Sequence, residues 1–145
     1  MKSHTDLEQS KKLAEILPIE SADMYYEYVL PRSNKLKHIP SIGNPVDALE
    51  WYNSNKGYTH FGKEPLSLKE YCIPCWSLAV LLGVLPSDIR RHEKTMFLTL
   101  EKAGAYNLYY KSKDRLDELW ETDFEPIDVC YKMILDLQKL KISSK

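Results

Sequence analysis

Two cysteines three residues apart are the side chains of this sequence whose type and spacing best suit chemistry. Cys72-Ile73-Pro74-Cys75 is a C-x-P-C sequence, and an apolar run follows it at 77–85. In a thiol-disulfide redox motif, the first thiolate of such a pair lies at a helix N-terminus, where the helix dipole lowers its pKa. Thiol-disulfide chemistry at Cys72 and Cys75 is therefore one hypothesis for the function.

The sequence around this pair also supports a purely structural role. A redox domain of that type places the motif within an alternating strand-helix-strand plan, whereas most strand patterns here lie downstream of the pair. Free cysteines pack readily as small apolar residues. The structural alternative is that Cys72 and Cys75 pack at a junction between a strand and a helix.

The same two cysteines could in principle contribute to a zinc site. Tetrahedral zinc needs two further ligands. The candidates by residue type are Cys130, His38, His60 and His92. No second C-x-x-C or H-x-x-x-H pair supports such a site, and the sequence has no G-x-S-x-G, H-E-x-x-H or glycine-rich phosphate loop. We therefore expect no catalytic residues, no metal and no cofactor.

Aromatic residues in a long irregular segment are the candidates for partner binding. Residues 31–65 are rich in Pro, Gly and Asn, and a short helix is predicted to start at Asn44-Pro45. Long loops in compact domains often carry function. The aromatic and His candidates in this segment are Trp51, Tyr52, Tyr58, His60 and Phe61. The alternative is that these rings hold the segment against the core.

The charge balance restricts the class of partner. The chain has 20 Lys and Arg against 21 Asp and Glu, a net charge of -1, which argues against nucleic acid and anionic membranes as partners. A small basic patch beside aromatic residues is interpreted as a solvated loop; it comprises Arg32, Lys35, Lys37 and His38 with Tyr28 and Tyr52. Residues 114–128 contain seven acids against Arg115 alone, so this stretch could form a contact surface.

Two further observations predict a cytoplasmic protein. The longest apolar run is far shorter than the roughly 20 residues of a membrane-spanning helix, and residues 1–6 lack the apolar region of a secretory signal. Three cysteines are an odd number, which favours reduced thiols over a disulfide framework.

The elements that must position these residues form an α+β pattern. A Thr5-x-x-Glu8 capping box predicts an N-terminal helix, and the run at 77–85, apolar on nearly every side, predicts a central one. Two alternating runs predict a hairpin at about 95–111. The side chains expected to face the core are Met96, Leu98, Leu100, Tyr106, Leu108 and Tyr110, and those expected outside are Asn107, Tyr109 and Lys111. Apolar spacing after Pro126 predicts a C-terminal helix.

These elements predict one domain spanning 1–145, with a small antiparallel sheet built on the hairpin and packed with the three helices. The length suits one core, since a chain of this size buries roughly 68% of the surface that it exposes when unfolded. Residues 116–120 fit either a third strand or a helical turn.

Four segments together carry a resemblance to a known group. They are EQSKKL at 8–13, SADMYY at 21–26, IPCWSL at 73–78 leading to Leu85-Pro86, and residues 128–135. The chain resembles uncharacterised small proteins of phages, prophages and mobile elements of Bacteroidetes. That resemblance brings no activity, cofactor or catalytic residue, but it implies an accessory protein that binds a host protein, including a component of host defence.

The sequence therefore favours a non-enzymatic interaction protein that binds a host or phage protein. Two alternatives stay open at this stage. One is a thiol-disulfide redox protein using Cys72 and Cys75, and the other is a protein that sequesters a small ligand or nucleotide in a pocket between sheet and helices. Assembly into a homo-oligomer is also left open.

Overall fold

The structure, a computed structural model, describes residues 1–30, 33–57, 65–114 and 118–140, and the chain forms two compact units. The N-terminal unit is His4–Ser77, and the C-terminal unit is Leu78–Lys145 together with Met1–Ser3. Each unit has its own antiparallel sheet with α-helices, so the expected α+β class is confirmed. The single domain over 1–145 stays a prediction.

The N-terminal unit contains a three-stranded sheet and three α-helices in the described residues. The order along the chain is α1 (Leu7–Leu13), a 3₁₀ turn (Ile19–Ser21), β1 (Met24–Glu27), β2 (Ser41–Ile42), α2 (Pro45–Tyr52), a π-helical turn (Asn53–Gly57), α3 (Leu68–Tyr71) and β3 (Cys72–Cys75). The strands lie in the order β2-β1-β3, all antiparallel. Helix α1 packs against β3.

The start of α1 differs from the predicted capping box. The sequence contains two overlapping boxes, and the helix uses the second, in which the Asp6 carboxylate accepts from the Gln9 backbone N at 2.8 Å. The Gln9 side chain accepts in return from the Asp6 N at 3.1 Å. Thr5 is instead fully buried, and its hydroxyl hydrogen-bonds Ser10 Oγ at 2.7 Å. The prediction that Thr5 and Glu8 cap the helix was therefore wrong by one residue.

Helix α2 begins as its sequence predicts. The Asn44 side-chain oxygen accepts from Val46 N at 2.9 Å, and Pro45 occupies the first helical position, where no backbone donor is needed. The other half of the Asn44 amide donates to the carbonyl of Ala22 at 2.9 Å. This one side chain therefore caps α2 and ties it to the segment before β1.

The C-terminal unit contains a four-stranded antiparallel meander. Its elements are α4 (Leu78–Val84), β4 (Asp88–Arg91), β5 (Lys94–Ala103), β6 (Ala105–Lys111), β7 (Glu118–Asp123) and α5 (Pro126–Lys139). The predicted hairpin at about 95–111 is confirmed as β5 and β6, which pair from Phe97–Lys111 to Ala103–Ala105. Of the segment left undecided at 116–120, residues 118–120 lie in the strand β7, and residues 116 and 117 lie outside the described residues.

One face of this sheet is covered by α5, which packs against β6 and β7. Met96, Leu108 and Tyr110 are fully buried on that face, as the alternation predicted. Leu100 departs from the prediction because it is 41% exposed, towards the distal end of the hairpin. On α5 the buried side chains recur at helical spacing and are Ile127, Val129, Cys130, Met133, Ile134 and Leu137.

Helix α4 differs from the expectation of burial on every side. Leu81 and Val84 are buried, but Ala79 and Gly83 on the same helix are exposed. Small residues let an apolar sequence face water at little cost, because they expose little surface. None of the helices in the described part of the chain has the length and apolar character needed to cross a membrane.

Candidate binding surfaces

The C-x-P-C sequence is a β-strand, not a helix N-terminus. Cys72 to Cys75 form β3, which pairs with β1 so that Met24 lies opposite Cys75 and Glu27 opposite Cys72. Side chains three positions apart in a strand point to opposite faces, with their Cα atoms about 10 Å apart. A disulfide needs Cα atoms about 4.4–6.8 Å apart. The redox hypothesis needs the first thiol at the start of a helix, whereas the pair lies in a strand that precedes a helix, and this geometry does not bring Cys72 to Cys75.

The environment of each thiol suppresses its ionisation. Cys72 and Cys130 are buried, and burial raises the pKa of each to about 12. Burial also raises the pKa of Cys75, against the opposing effect of hydrogen bonds from Thr5 and Ser10. Because the thiolate is the nucleophile, burial and the raised pKa values disfavour reaction of these three thiols in the native protein.

Cys75 and Trp76 have a visible structural role in anchoring the residues before α1. The backbone N of Thr5 donates to the carbonyl of Trp76 at 2.9 Å, and the Trp76 N donates to the Thr5 hydroxyl at 3.2 Å. The Cys75 thiol donates to the Thr5 carbonyl at 3.5 Å. Trp76 is fully buried, and its indole donates to Ser21 Oγ at 3.0 Å. The motif therefore joins three segments of the N-terminal unit.

We expect the native protein to be nearly inert to a thiol reagent at pH 8. With each cysteine buried and its pKa raised, the reaction should be at least about a hundredfold slower than in denaturant, where all three thiols react. The measurement is the time course of colour release from a disulfide reagent with and without guanidinium. One thiol that reacts rapidly in the native state, and that disappears in Cys72→Ser, would restore the redox hypothesis.

The described residues that were considered as zinc ligands do not form a site. Across 1–30, 33–57, 65–114 and 118–140, no group of three or more His, Cys, Asp or Glu side chains is arranged to hold a metal ion. His60, one of the candidate ligands, lies outside these residues.

The predicted aromatic segment is only partly described. Trp51, in the last turn of α2, is 57% exposed. Tyr52, its neighbour, packs beside Tyr71 with ring centroids 5.2 Å apart and belongs to a cluster around Leu66, Tyr71 and Cys72. Trp51 thus presents more than half of its surface to solvent, whereas Tyr52 holds α2 against the core. Tyr58, His60 and Phe61 lie outside the described residues.

A second aromatic surface lies on the sheet of the C-terminal unit, on the face opposite α5. Thr99 of β5 pairs with Tyr109 of β6, which in turn pairs with Trp120 of β7. Phe97, two residues before Thr99, points to the same side because side chains alternate along a strand. We call Phe97, Tyr109 and Trp120 the open sheet face. Phe97 is 44% and Trp120 52% exposed.

The central ring of the open sheet face is held by its neighbours. The Tyr109 hydroxyl donates to Glu101 Oε2 at 2.5 Å. Lys111 places its Nζ 4.5 Å from the centroid of the same ring, a cation–π contact. These contacts fix the Tyr109 ring on a rigid sheet with Trp120 directly beside it.

Sequence reasoning missed this surface as a site. The hairpin alternation places Tyr109 outside the core, but Trp120 falls in the segment that was left undecided between strand and helix. The signal that could have found it is the same alternation extended to a third strand, in which Leu119 points inward and Trp120 outward. Leu119 is indeed the less exposed of the two.

The acidic stretch is neutralised in part by ion pairs inside the C-terminal unit. Ion pairs join Asp114 to Lys94 at 2.9 Å, Asp123 to Lys132 at 2.8 Å, and Asp128 to Lys2 at 2.6 Å. Glu125 also accepts from the Lys2 backbone N at 2.9 Å. These pairs leave less net negative charge at 118–128 than the sequence suggests.

The basic patch likewise carries less net positive charge than its sequence suggests. Lys37 forms an ion pair with Glu27 of β1, and Lys35 and His38 line a shallow depression with Leu36 and Ile39. Arg32 lies outside the described residues. The described part of this patch offers little to a polyanion.

Two carboxyl groups meet between β7 and α5, and they predict a pH dependence of stability. Hydrogen bonding to Asp136, assisted by burial, raises the pKa of Glu121 to about 7 despite the opposing Lys132 and Lys139. The native state therefore retains a proton that the unfolded chain loses near pH 4.5, so this stabilisation is present at low pH and lost as the pH rises through 7.

We expect the free energy of unfolding to decrease between about pH 5 and 7.5 and Glu121→Gln to flatten that decrease. Urea denaturation at a series of pH values measures it, with Glu118→Gln on the same strand as the control. An unchanged slope in Glu121→Gln would contradict the assignment.

Comparison with protein-family models, with curated proteins and with solved structures found no match for this chain.

Proposed function

We propose that this chain is a cytoplasmic, non-enzymatic binding protein whose open sheet face binds a partner protein. The observation that carries the proposal is the exposure of Phe97 and Trp120 on either side of Tyr109, on a sheet face that α5 leaves uncovered. Large aromatic rings exposed together on a monomer are typical of interaction sites, since exposing them to water is otherwise unfavourable.

The geometry of the face suits tight association. Its rings project from paired strands, and Tyr109 is already held by Glu101 and Lys111, so little side-chain entropy is lost on binding. Trp and Tyr are also the residues that most often dominate binding energies at interfaces.

The charges around the face favour a protein over a polyanion. Lys111 and Glu118 pair across β6 and β7, so both signs of charge border Trp120. Mixed charges can select a complementary protein surface, whereas nucleic acid requires many cations. The resemblance to mobile-element proteins suggests that the partner is a host protein, including a component of host defence.

Affinity capture tests this function. Immobilised wild-type protein and a Phe97→Ser/Trp120→Ser variant are incubated with lysate of a Bacteroidetes host, and retained proteins are identified. We expect a protein that the wild type retains and the variant loses. Ile42→Ser, which changes an 89% exposed residue of β2, is the control and should retain it. Equal retention by all three proteins would contradict the siting.

A further variant in the same experiment, Trp51→Ala, shows which of the two aromatic surfaces binds the partner. If partner capture depends on Trp51 and not on Phe97 and Trp120, the partner-binding function holds but the site is the segment first predicted from the sequence. If capture depends on neither surface, the proposed binding site is wrong.

A further inference from the structure

A cleft of about 640 Å³ opens in the N-terminal unit beside β3. Its walls come from α1, α3 and the strand Cys72–Cys75, and this volume lies within the range of small-molecule sites in proteins. The cleft shares no residue with the open sheet face, which belongs to the C-terminal unit.

The floor of the cleft is apolar. Cys72 and Pro74 are buried there, and Leu68 and Ile73 are half-buried beside them. Cys72 is only 2% exposed, so the accessible apolar surface of the floor comes from its half-buried neighbours. The aliphatic part of a ligand would therefore meet the side chains of Leu68 and Ile73 on this side.

The rim of the cleft is positively charged. Lys11 on α1 and Lys69 on α3 both line it and are exposed. The carboxylate of Glu15, which also lines the cleft, forms an ion pair with Lys12 at 3.5 Å. Two cations thus border the cleft, and its one anion already has a cationic partner.

The position of β3 in the sheet explains why the cleft is not a site for an added strand. β3 is at the edge of the order β2-β1-β3, and Pro74 in its middle has no backbone N–H to donate. A proline on an edge strand blocks pairing with a further strand. The cleft therefore suits side-on burial of an apolar ligand better than backbone pairing with a peptide.

We propose that this cleft binds a small anionic amphiphile, a molecule with an aliphatic tail and a carboxylate or phosphate head. The tail lies on the floor formed by Leu68 and Ile73, and the head lies at the rim between Lys11 and Lys69. This site does not depend on the proposed function of the open sheet face, and either can fail without the other.

Titration with matched ten-carbon probes tests the proposal. Decanoate, decyl phosphate, decanol and decyltrimethylammonium are added below their micelle concentrations, and amide chemical shifts are followed by NMR. We expect the anions to bind at least about tenfold more tightly than the alcohol and the cation, with shifts centred on Leu68, Cys72 and Ile73. The preferred anion distinguishes a carboxylate from a phosphate ligand. Equal binding of all four probes, or shifts elsewhere, would overturn the proposal.

Charge reversal provides a second test that leaves the floor intact. Lys11→Glu/Lys69→Glu should weaken decanoate binding by at least about tenfold, because both changes place a like charge beside its head. Lys102→Glu, an exposed lysine of the C-terminal unit, is the charge-matched control and should bind normally. Ala14→Phe, which adds a ring to an exposed cleft residue, should also block binding. Normal affinity in both cleft variants would refute the site.

Discussion

Replacing Trp76 with alanine is expected to lower the free energy of unfolding of the N-terminal unit by about 3–5 kcal/mol. Trp76 is fully buried and is the largest such side chain in the described residues, so its removal leaves a cavity where its ring packs. The change also removes the indole hydrogen bond to Ser21. Urea denaturation followed by far-UV circular dichroism measures the loss.

Two matched variants make this prediction specific. Trp76→Phe retains most of the apolar volume but loses the hydrogen bond, worth about 1 kcal/mol, and should destabilise less than alanine. Trp51→Ala removes the same side chain from a position that is 57% exposed and should cost less than about 1 kcal/mol. Equal losses in Trp76→Ala and Trp51→Ala would show that Trp76 is not the anchor described here.

The open sheet face should show the reverse behaviour, with a large effect on binding and a small one on stability. Phe97→Ala/Trp120→Ala is expected to weaken partner affinity at least about 30-fold, since central aromatic residues of an interface contribute about 2 kcal/mol or more. Each change should cost less than about 1 kcal/mol of stability because both rings are already about half exposed.

Isothermal titration with the captured partner, alongside urea denaturation, measures both quantities. Leu100→Ala, a 41% exposed apolar residue on the opposite side of β5, is the control for surface area and should leave affinity unchanged. If stability falls by several kcal/mol instead, the two rings belong to the core and not to a binding surface.

Local signals predicted the elements that carry strong start or stop residues. Asn44-Pro45 and Pro126 begin α2 and α5, and the alternation of 95–111 identifies the β5–β6 hairpin with Leu108 and Tyr110 inward. In each case one residue satisfies an orphan backbone group or fixes a face, so the information is local.

Elements set by tertiary contacts could not be predicted in this way. The segment Cys72–Cys75 has only four residues, and one of them is a proline. It becomes a strand because it pairs with β1, which lies 45 residues or more earlier in the sequence. Strand β2 is two residues long and exists through its pairing with Met24 and Tyr25. The choice of Asp6 over Thr5 as the helix cap likewise depends on Trp76, which draws Thr5 into the core.

The candidate sites depended on the same non-local information. Cys72 and Cys75 suggest redox chemistry by spacing alone, but that spacing brings two thiols together in a helix and separates them in a strand. Trp120 becomes part of a surface only when β7 places it beside Tyr109. Trp51 is exposed whereas Tyr52 packs beside Tyr71, a difference that their own segment does not reveal.

The most direct test of the central claim, that the open sheet face binds a partner protein, is the dissociation constant of the captured partner for two single variants measured side by side. Trp120 and Trp51 are both tryptophans more than half exposed, and they lie in different units. We predict that Trp120→Ala raises Kd at least about 30-fold and that Trp51→Ala leaves it within about twofold. An unchanged Kd in Trp120→Ala would contradict the account.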